Sequence, residues 1–387
     1  MENPVLVVVG TRPDAIKLIP VYKALKNLGV DVRLCATFQH DHLLRQVFDT
    51  FNITPDVCLG VMQKGQDLFY LTTTLLEKLK VVYLDIKPSY VIVQGDTTTS
   101  LCAALAAFYL NIKIAHVEAG LRTGDLRAPF PEEANRKIIG TLANYHFPPT
   151  TMSRLALLQE NIPAESIHCV GNTGIDALYW IEQQLETGAI SPSQSLQQLV
   201  AQFRQNNQKI VLLTAHRRES FGTTLTAIFN GIATFLQEHH DVVIVYPTHP
   251  NPQVLQALDA SGIRNLPNSV ILEPVAYHDL VFLLRACDWV MTDSGGIQEE
   301  AASLGRQSLV LRTVTERNEG VLLGVAKLAG TDAPTIQKNM LELYASENPH
   351  IPRSTIYGDG TASVKIASLI AENFVYLQRP DELLKNA

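Results

Sequence analysis

Short β-branched runs alternate with amphipathic helical stretches along this chain, and they do so in two successive sets. The first set is VLVVVG (5–10), VDVRLCAT (30–37), YVIVQGD (90–96), NIKIAHVE (111–118) and IHCVG (167–171). The second is KIVLLTAH (209–216), DVVIVYPTH (241–249), VILEP (270–274), DWVMTDSGG (288–296) and SLVLRTVTE (308–316). Strands that alternate with helices pair in parallel and are covered on both faces, so each set predicts its own doubly wound α/β domain. A length of 387 residues agrees with two domains, being too great for one ordinary core. The polar stretch 188–208 between the sets predicts a surface helix, with the passage between domains near GNTGIDAL (171–178). A last helical stretch, about 361 to 377, has no strand after it and either closes the second domain or crosses back onto the first.

Composition narrows the function classes. With 46% hydrophobic and 18% charged residues the chain is globular rather than disordered. A net charge of −7 argues against nucleic acid or an anionic membrane as partner, so any bound anion requires a local basic constellation. The five cysteines are scattered without a CxxC pair, which suggests neither a disulfide framework nor a zinc site. The start, MENPVLVVVGTRPD, has no basic leader and enters a strand at once, and LCAALAAFYL is too short to span a bilayer. A cytoplasmic setting is expected.

Ligands of open parallel sheets sit beyond the carboxyl ends of the strands, and the unusual polar clusters fall there. In VVVGTRPDAIK, Pro13 suits the first turn of a helix and Gly10 a tight strand exit. Arg12 then lies at the positive end of that helix, where a cation is disfavoured, so Arg12 and Lys17 together suggest a missing anion. In DSGGIQEEAASLG (293–305) a helix starts about Gly296. Its backbone amides can bind phosphate, Gly295 and Gly296 let a ligand approach, and Glu299 or Glu300 can accept from ribose hydroxyls. An ordinary N-cap Ser294 with first-turn acids is the alternative. TAHRRESFG (214–222) offers His216, Arg217 and Arg218 with Glu219 as a partial counter-charge, and RTVTERNEG (312–320) adds Arg312 and Arg317. His249, in a proline-fixed loop, reads as a polar surface residue.

The stretch HVEAGLRTGDLRAPFPEEANR (116–136) sets Glu118, Asp125, Glu132 and Glu133 among Arg122, Arg127 and Arg136. It suits a site where carboxylates move protons while arginines hold an anion. Asp96 ends a strand and is either a helix N-cap or a third acid. Asp96, Glu118 and Glu132, from separate loops on one sheet edge, suit paired proton transfer, one group taking and another giving.

Taken in order, GTRPDAIK, QGDTTT, HVEAGLRTGD, PFPEEANR, GNTGIDAL, TAHRRESFG, TDSGGIQEEAASLG and TERNEGV strongly resemble the non-hydrolysing UDP-N-acetylglucosamine 2-epimerases of bacteria, from residue 10 to about 321. The resemblance implies the glycosyltransferase-B type: two Rossmann-like domains with the active site in the interdomain cleft. The first domain would comprise residues 1–171 plus about 361–387 with a C-terminal crossover helix, and the second, nucleotide-binding, residues 172–360. It further implies a homodimer, a UDP-sugar substrate, no metal and no cofactor. The implied reaction interconverts UDP-GlcNAc and UDP-ManNAc through elimination of UDP to 2-acetamidoglucal and re-addition, feeding surface polysaccharide synthesis. By resemblance Asp96, Glu118 and Glu132 are the acid/base groups, with Arg12, Lys17 and His216 near the diphosphate and sugar. Ser294, Gly295 and Gly296 match diphosphate-binding positions, Glu300 the ribose acid and Arg317 a further nucleotide contact.

The chain departs from the family pattern at Asp14, where Glu is usual, and at Val275 and Leu280, where relatives place uracil-contacting side chains. It departs again at His42 and Gly65, where some relatives bind an activating second substrate. The alternatives are a hydrolysing epimerase that releases ManNAc, a glycosyltransferase of the same fold and a non-catalytic nucleotide-sugar sensor.

Overall fold

The structure, a computed structural model, describes residues 3–39, 41–63, 65–346 and 350–378, with side chains for all of these but 41–43, 218 and 374–378. The chain divides into two compact units, Met1–Tyr179 with Tyr357–Ala387, and Trp180–Ile356. Residues 379–387 and the side chains of His42 and Arg218 thus lie outside the description.

In the first unit six strands pair in parallel: β1 (Val5–Val9), β2 (Val32–Ala36), β3 (Val57–Cys58), β4 (Tyr90–Gln94), β5 (Lys113–Val117) and β6 (Tyr145–Phe147), in the order β3-β2-β1-β4-β5-β6. The second unit repeats the winding with β7 (Lys209–Thr214), β8 (Val242–Pro247), β9 (Ser269–Leu272), β10 (Trp289–Thr292), β11 (Gln307–Val310) and β12 (Ala326–Leu328), in the order β12-β11-β10-β7-β8-β9. β1 and β4 are buried along their whole length, as near-continuous Val/Ile runs must be when helices cover both faces. Both units are therefore Rossmann-like α/β domains.

Three short strands, β3, β6 and β12, were not anticipated, and each lies at a sheet edge. They span 2, 3 and 3 residues, too few for a period to register, and their membership comes from pairing with a longer neighbour. IHCVG, expected as a strand, makes only an isolated bridge between Ile167 and His146, so the sixth place in the sheet belongs to β6. The polar stretch after residue 188 carries the helix Gln194–Gln205. The division between units falls inside the helix Thr173–Glu186.

The final helix, Ala362–Gln378, packs on the helix Arg12–Asn27 of the first unit. Asp176 anchors its start, accepting from the Ser363 amide at 2.7 Å. No helix among the described residues is long and apolar enough to cross a membrane.

Gly120, just beyond β5, has φ +87°, and a Cβ there would overlap the Ser153 carbonyl in the helix Thr151–Gln159. Strain and overpacking thus act together. Gly120→Ala is expected to lower stability by about 2–4 kcal/mol, read as a fall in the denaturant midpoint.

Candidate active site

Strand order reverses between β1 and β4, and loops at the carboxyl ends of such strands line a crevice. β1 leads into the helix Arg12–Asn27, capped by Thr11 with Pro13 in its first turn. Asp14 reaches back to close the cap, accepting from the Gly10 and Thr11 amides at 3.1 Å each and from the Thr11 hydroxyl at 2.8 Å. Burial raises the Asp14 pKa to about 6 against these donors, which pull it down, and the Asp96 charge adds to the rise. Arg12 is half-buried at this helix start.

Glu118 follows β5 with φ 59°, a left-handed conformation rarely adopted outside glycine. Its carboxylate is only 8% exposed at the residue level and meets three donors. Lys17 Nζ donates to Oε1 at 2.6 Å, Asn172 Nδ2 donates to Oε1 at 3.0 Å, and the Gln94 carboxamide contacts Oε2. Lys17 thus has a counter-ion within its own unit. Gly95, at φ +63°, makes room, since a Cβ there would stand 3.3 Å from Glu118 Oε2. Beneath it His116, fully buried, has its pKa lowered to about 3 by desolvation, so the neutral ring donates from Nε2 to the Gly95 carbonyl at 2.7 Å.

Asp96 is not the cap of the next helix. Thr97 caps Thr98–Tyr109, taking the Ser100 amide at 3.2 Å. Asp96 Oδ2 instead accepts from Arg136 Nε at 3.1 Å and from Arg136 Nη2. The same guanidinium donates to Glu133 Oε2 at 2.9 Å, and Glu133 is wholly buried. Glu132 begins the helix Glu132–Leu142 directly after Pro131 and is half-buried. Among the described residues its carboxylate has neither a hydrogen-bond nor an ion-pair partner.

Two of the three arginines of 116–136 meet acids of their own unit. Arg122 grips Glu160 bidentately, at 2.9 and 2.7 Å, and donates to the Leu121 carbonyl. Arg136 is shared between Asp96 and Glu133. The charge pattern was legible in the sequence; which cation neutralises which acid required the fold.

In the second unit the reversal lies between β7 and β10. Asp293, 1% exposed, ties the two strand ends together: its Oδ2 accepts from the His216 and Arg217 amides at 2.6 and 2.7 Å. The His216 ring is exposed, with Nδ1 3.7 Å from Asp293 Oδ1, and it stacks on His249 at 5.3 Å and 8°. His249 is thus not the plain surface residue expected, but half of a stacked pair.

Ser294 caps the helix Gly295–Ser303, yet its side chain makes no capping bond, so the first-turn amides are not taken up by that hydroxyl. A Cβ on Gly295 would overlap the Arg317 guanidinium, so the glycine admits an arginine from the same unit; at Gly296 a Cβ would meet open space.

Arg317 Nε donates to Glu299 Oε1 at 2.8 Å, and Glu300 Oε1 accepts from the Tyr277 hydroxyl at 2.9 Å. Arg217, Arg312 and Arg317 surround Glu316 at 3.7, 2.8 and 3.6 Å. Burial pushes the Glu316 pKa up, but Arg317, Arg217 and Arg312 outweigh it and bring it to about 2. One ionised acid therefore holds three guanidinium groups beside the helix start. Tyr277 and Glu316 carried no sequence signal that singled them out. Among the described residues no group of three or more His, Cys, Asp or Glu side chains is arranged to hold a metal ion.

A doubly wound α/β unit with acids at its switch point, and a second with a helix start and arginines at its own, define an enzyme of the nucleotide-binding α/β class. A profile of the UDP-N-acetylglucosamine 2-epimerase family matches residues 23–371. The chain is 45% identical to UDP-N-acetylglucosamine 2-epimerase of Salmonella typhimurium, covering 94% of this chain and 96% of that one. It is 43% identical to the Escherichia coli K12 enzyme of that name, over 96% and 100%. Among solved structures it resembles the Neisseria meningitidis UDP-GlcNAc 2-epimerase bound to UDP-GlcNAc, with a TM-score of 0.88, 38% identity and coverage of 95% and 100%. The Methanocaldococcus jannaschii enzyme in complex with UDP-GlcNAc and UDP matches with a TM-score of 0.82, 31% identity and coverage of 95% and 99%. The chain belongs to the UDP-N-acetylglucosamine 2-epimerase family.

Two predictions follow from the site's construction. Gly295→Ala should displace Arg317 and cost about 1–3 kcal/mol of stability, whereas Gly296→Ala should be neutral or stabilising by up to about 1 kcal/mol; paired urea melts compare them. Asp14, with a folded pKa near 6 against about 3.9 unfolded, contributes stability fully below pH ~4 that is lost as pH rises through ~6. Asp14→Asn should remove that descending component, on the order of 2–3 kcal/mol, from a plot of unfolding free energy against pH.

Proposed function

We propose that the chain interconverts UDP-GlcNAc and UDP-ManNAc without releasing free sugar. An unactivated C2–H is a very poor acid, so its removal needs cationic character at C1 as the C1–O bond to UDP breaks. A carboxylate takes the C2 proton, the C–H electron pair forms the C1=C2 bond of 2-acetamidoglucal, and UDP leaves with the C1–O pair. In return a UDP oxygen attacks C1 while C2 receives a proton on its opposite face. Two acids on opposite faces and a cradle for diphosphate are the minimum equipment.

Asp96, Glu118 and Glu132 are the acids. The observation that carries the reading is Glu118: a strained residue, clamped by three donors, at the switch point of its sheet. Arg12, Lys17 and His216 serve the leaving group and sugar. Ser294, Gly295 and Gly296 contribute first-turn amides to the diphosphate, Glu300 accepts from the ribose and Arg317 is a further nucleotide contact. Gly295 acts there by admitting Arg317. On the resemblance, the product supplies ManNAc for surface polysaccharide, and the enzyme works as a cytoplasmic homodimer.

UDP-GlcNAc followed by NMR in deuterated water tests this directly. UDP-ManNAc should appear, with deuterium at C2 of both UDP-sugars. Accumulating free ManNAc with UDP would make the enzyme hydrolysing, and unlabelled C2 would leave a transferase or sensor. Glu118→Gln and Asp96→Asn should each lower exchange by about 10²–10⁴-fold while UDP binding persists; full turnover by either removes it from the acid/base set.

A further inference from the structure

The helix Glu132–Leu142 opens on two adjacent acids that the fold sends to different places. Neighbours on a helix point about 100° apart, so they do not share one face. Glu132 is half-buried, whereas Glu133 is wholly buried and bonded at both oxygens. Its Oε2 accepts from Arg136 Nη1 at 2.9 Å, one turn along the helix, and its Oε1 accepts from the Gly124 amide at 3.1 Å. Gly124, at φ +84°, lies in the segment that leads from β5 into this helix. A single carboxylate thus ties the start of the helix to the loop that enters it.

Arg136 is the second link. It is 6% exposed, and besides Glu133 it serves Asp96 Oδ2, donating through Nε at 3.1 Å and through Nη2. The same helix holds the backbone of Asp96, since Asn135 Nδ2 donates to the Asp96 carbonyl at 2.8 Å. A guanidinium is a planar, rigid fork, so fixing Nη1 on Glu133 also fixes the direction in which Nε and Nη2 point. A buried cation is costly without a counter-charge. A proton passed to or from Asp96 changes the charge of that residue, and Arg136 keeps the Glu133 carboxylate through the change.

We propose that Glu133 is the positioning residue for Asp96: it fixes the Arg136 fork that aims the Asp96 carboxylate, and it remains as that fork's counter-charge while Asp96 exchanges a proton. This rests on the acid/base role given to Asp96 above and adds what aims it. The two acids of PFPEEANR thereby separate, Glu132 belonging to the reacting set and Glu133 working through Arg136.

Glu133→Gln is the test, because its amide oxygen can still accept from Gly124 while its amide nitrogen meets Arg136 donor against donor. The expected result is a fall in kcat and in C2 deuterium exchange of about a hundredfold, with KM and UDP affinity within about twofold of the parent. Parent kcat overturns the proposal. So does a loss shared equally by kcat, UDP affinity and Tm, which marks a residue that only holds the fold. Glu133→Asp keeps the charge on a side chain one methylene too short to make both bonds, so kcat should fall about tenfold at constant KM. That variant decides the matter where Glu133→Gln does not fold, and parent kcat in it overturns the proposal as well.

The infrared carboxylate band of Asp96, assigned by difference against Asp96→Asn, reports its hydrogen bonding and needs no turnover. It should shift in Glu133→Gln and, by less, in Glu133→Asp; a band unmoved in both overturns the proposal. Absence of exchange in the parent would therefore defeat the epimerase reading, while the band still decides whether Glu133 aims Asp96.

Discussion

At β1 and β4, and again at β7 and β10, two neighbouring parallel strands send their chains away in opposite directions across the sheet. That reversal is the constraint on which the rest depends. Helices that leave toward opposite faces cannot close over the strand ends, so polar residues at those ends escape the core while their backbones stay rigidly paired. Arg12, Asp96 and Glu118 stand at strand exits of the first sheet, and His216 and Ser294 at those of the second.

Within the first unit, holding Glu118 is the dominant problem. A left-handed backbone at a non-glycine residue costs roughly 1–2 kcal/mol. A hydrogen bond to a charged group contributes about 1.5–3 kcal/mol, so the Asn172 and Gln94 amides suffice to outweigh the strain. The Lys17 pair, with side chains 14% and 6% exposed, is a different matter, since removing both charges from water offsets much of their attraction. Its value is geometric rather than stabilising. The same economy governs Asp96, whose Arg136 partner also neutralises the buried Glu133. Among the described residues Glu132 has no such tie.

Much of this was legible residue by residue. Val/Ile runs announced the central strands, because burial on both faces leaves little choice of side chain. Pro13 announced a helix start through its own backbone preference. The short edge strands were not legible, since Tyr145–Phe147 joins a sheet only because β5 offers it partners. The contacts made at glycines were not legible for a similar reason: a missing Cβ says that something comes close, not what. At Gly295 the visitor is Arg317, from 22 positions along the chain.

What the sequence determined by itself was local and chemical: two sets of parallel strands, acids and arginines at their exits, and an ordered motif set tied to one family. Only tertiary structure decided the pairings, because an ion pair forms between whichever charges the sheet order brings within a few ångströms. Lys17 and Glu118 are 101 positions apart and Asn172 and Glu118 are 54 apart. Nothing in linear spacing measures the distance between strand ends, so the chain could name candidate groups without revealing what holds them in place.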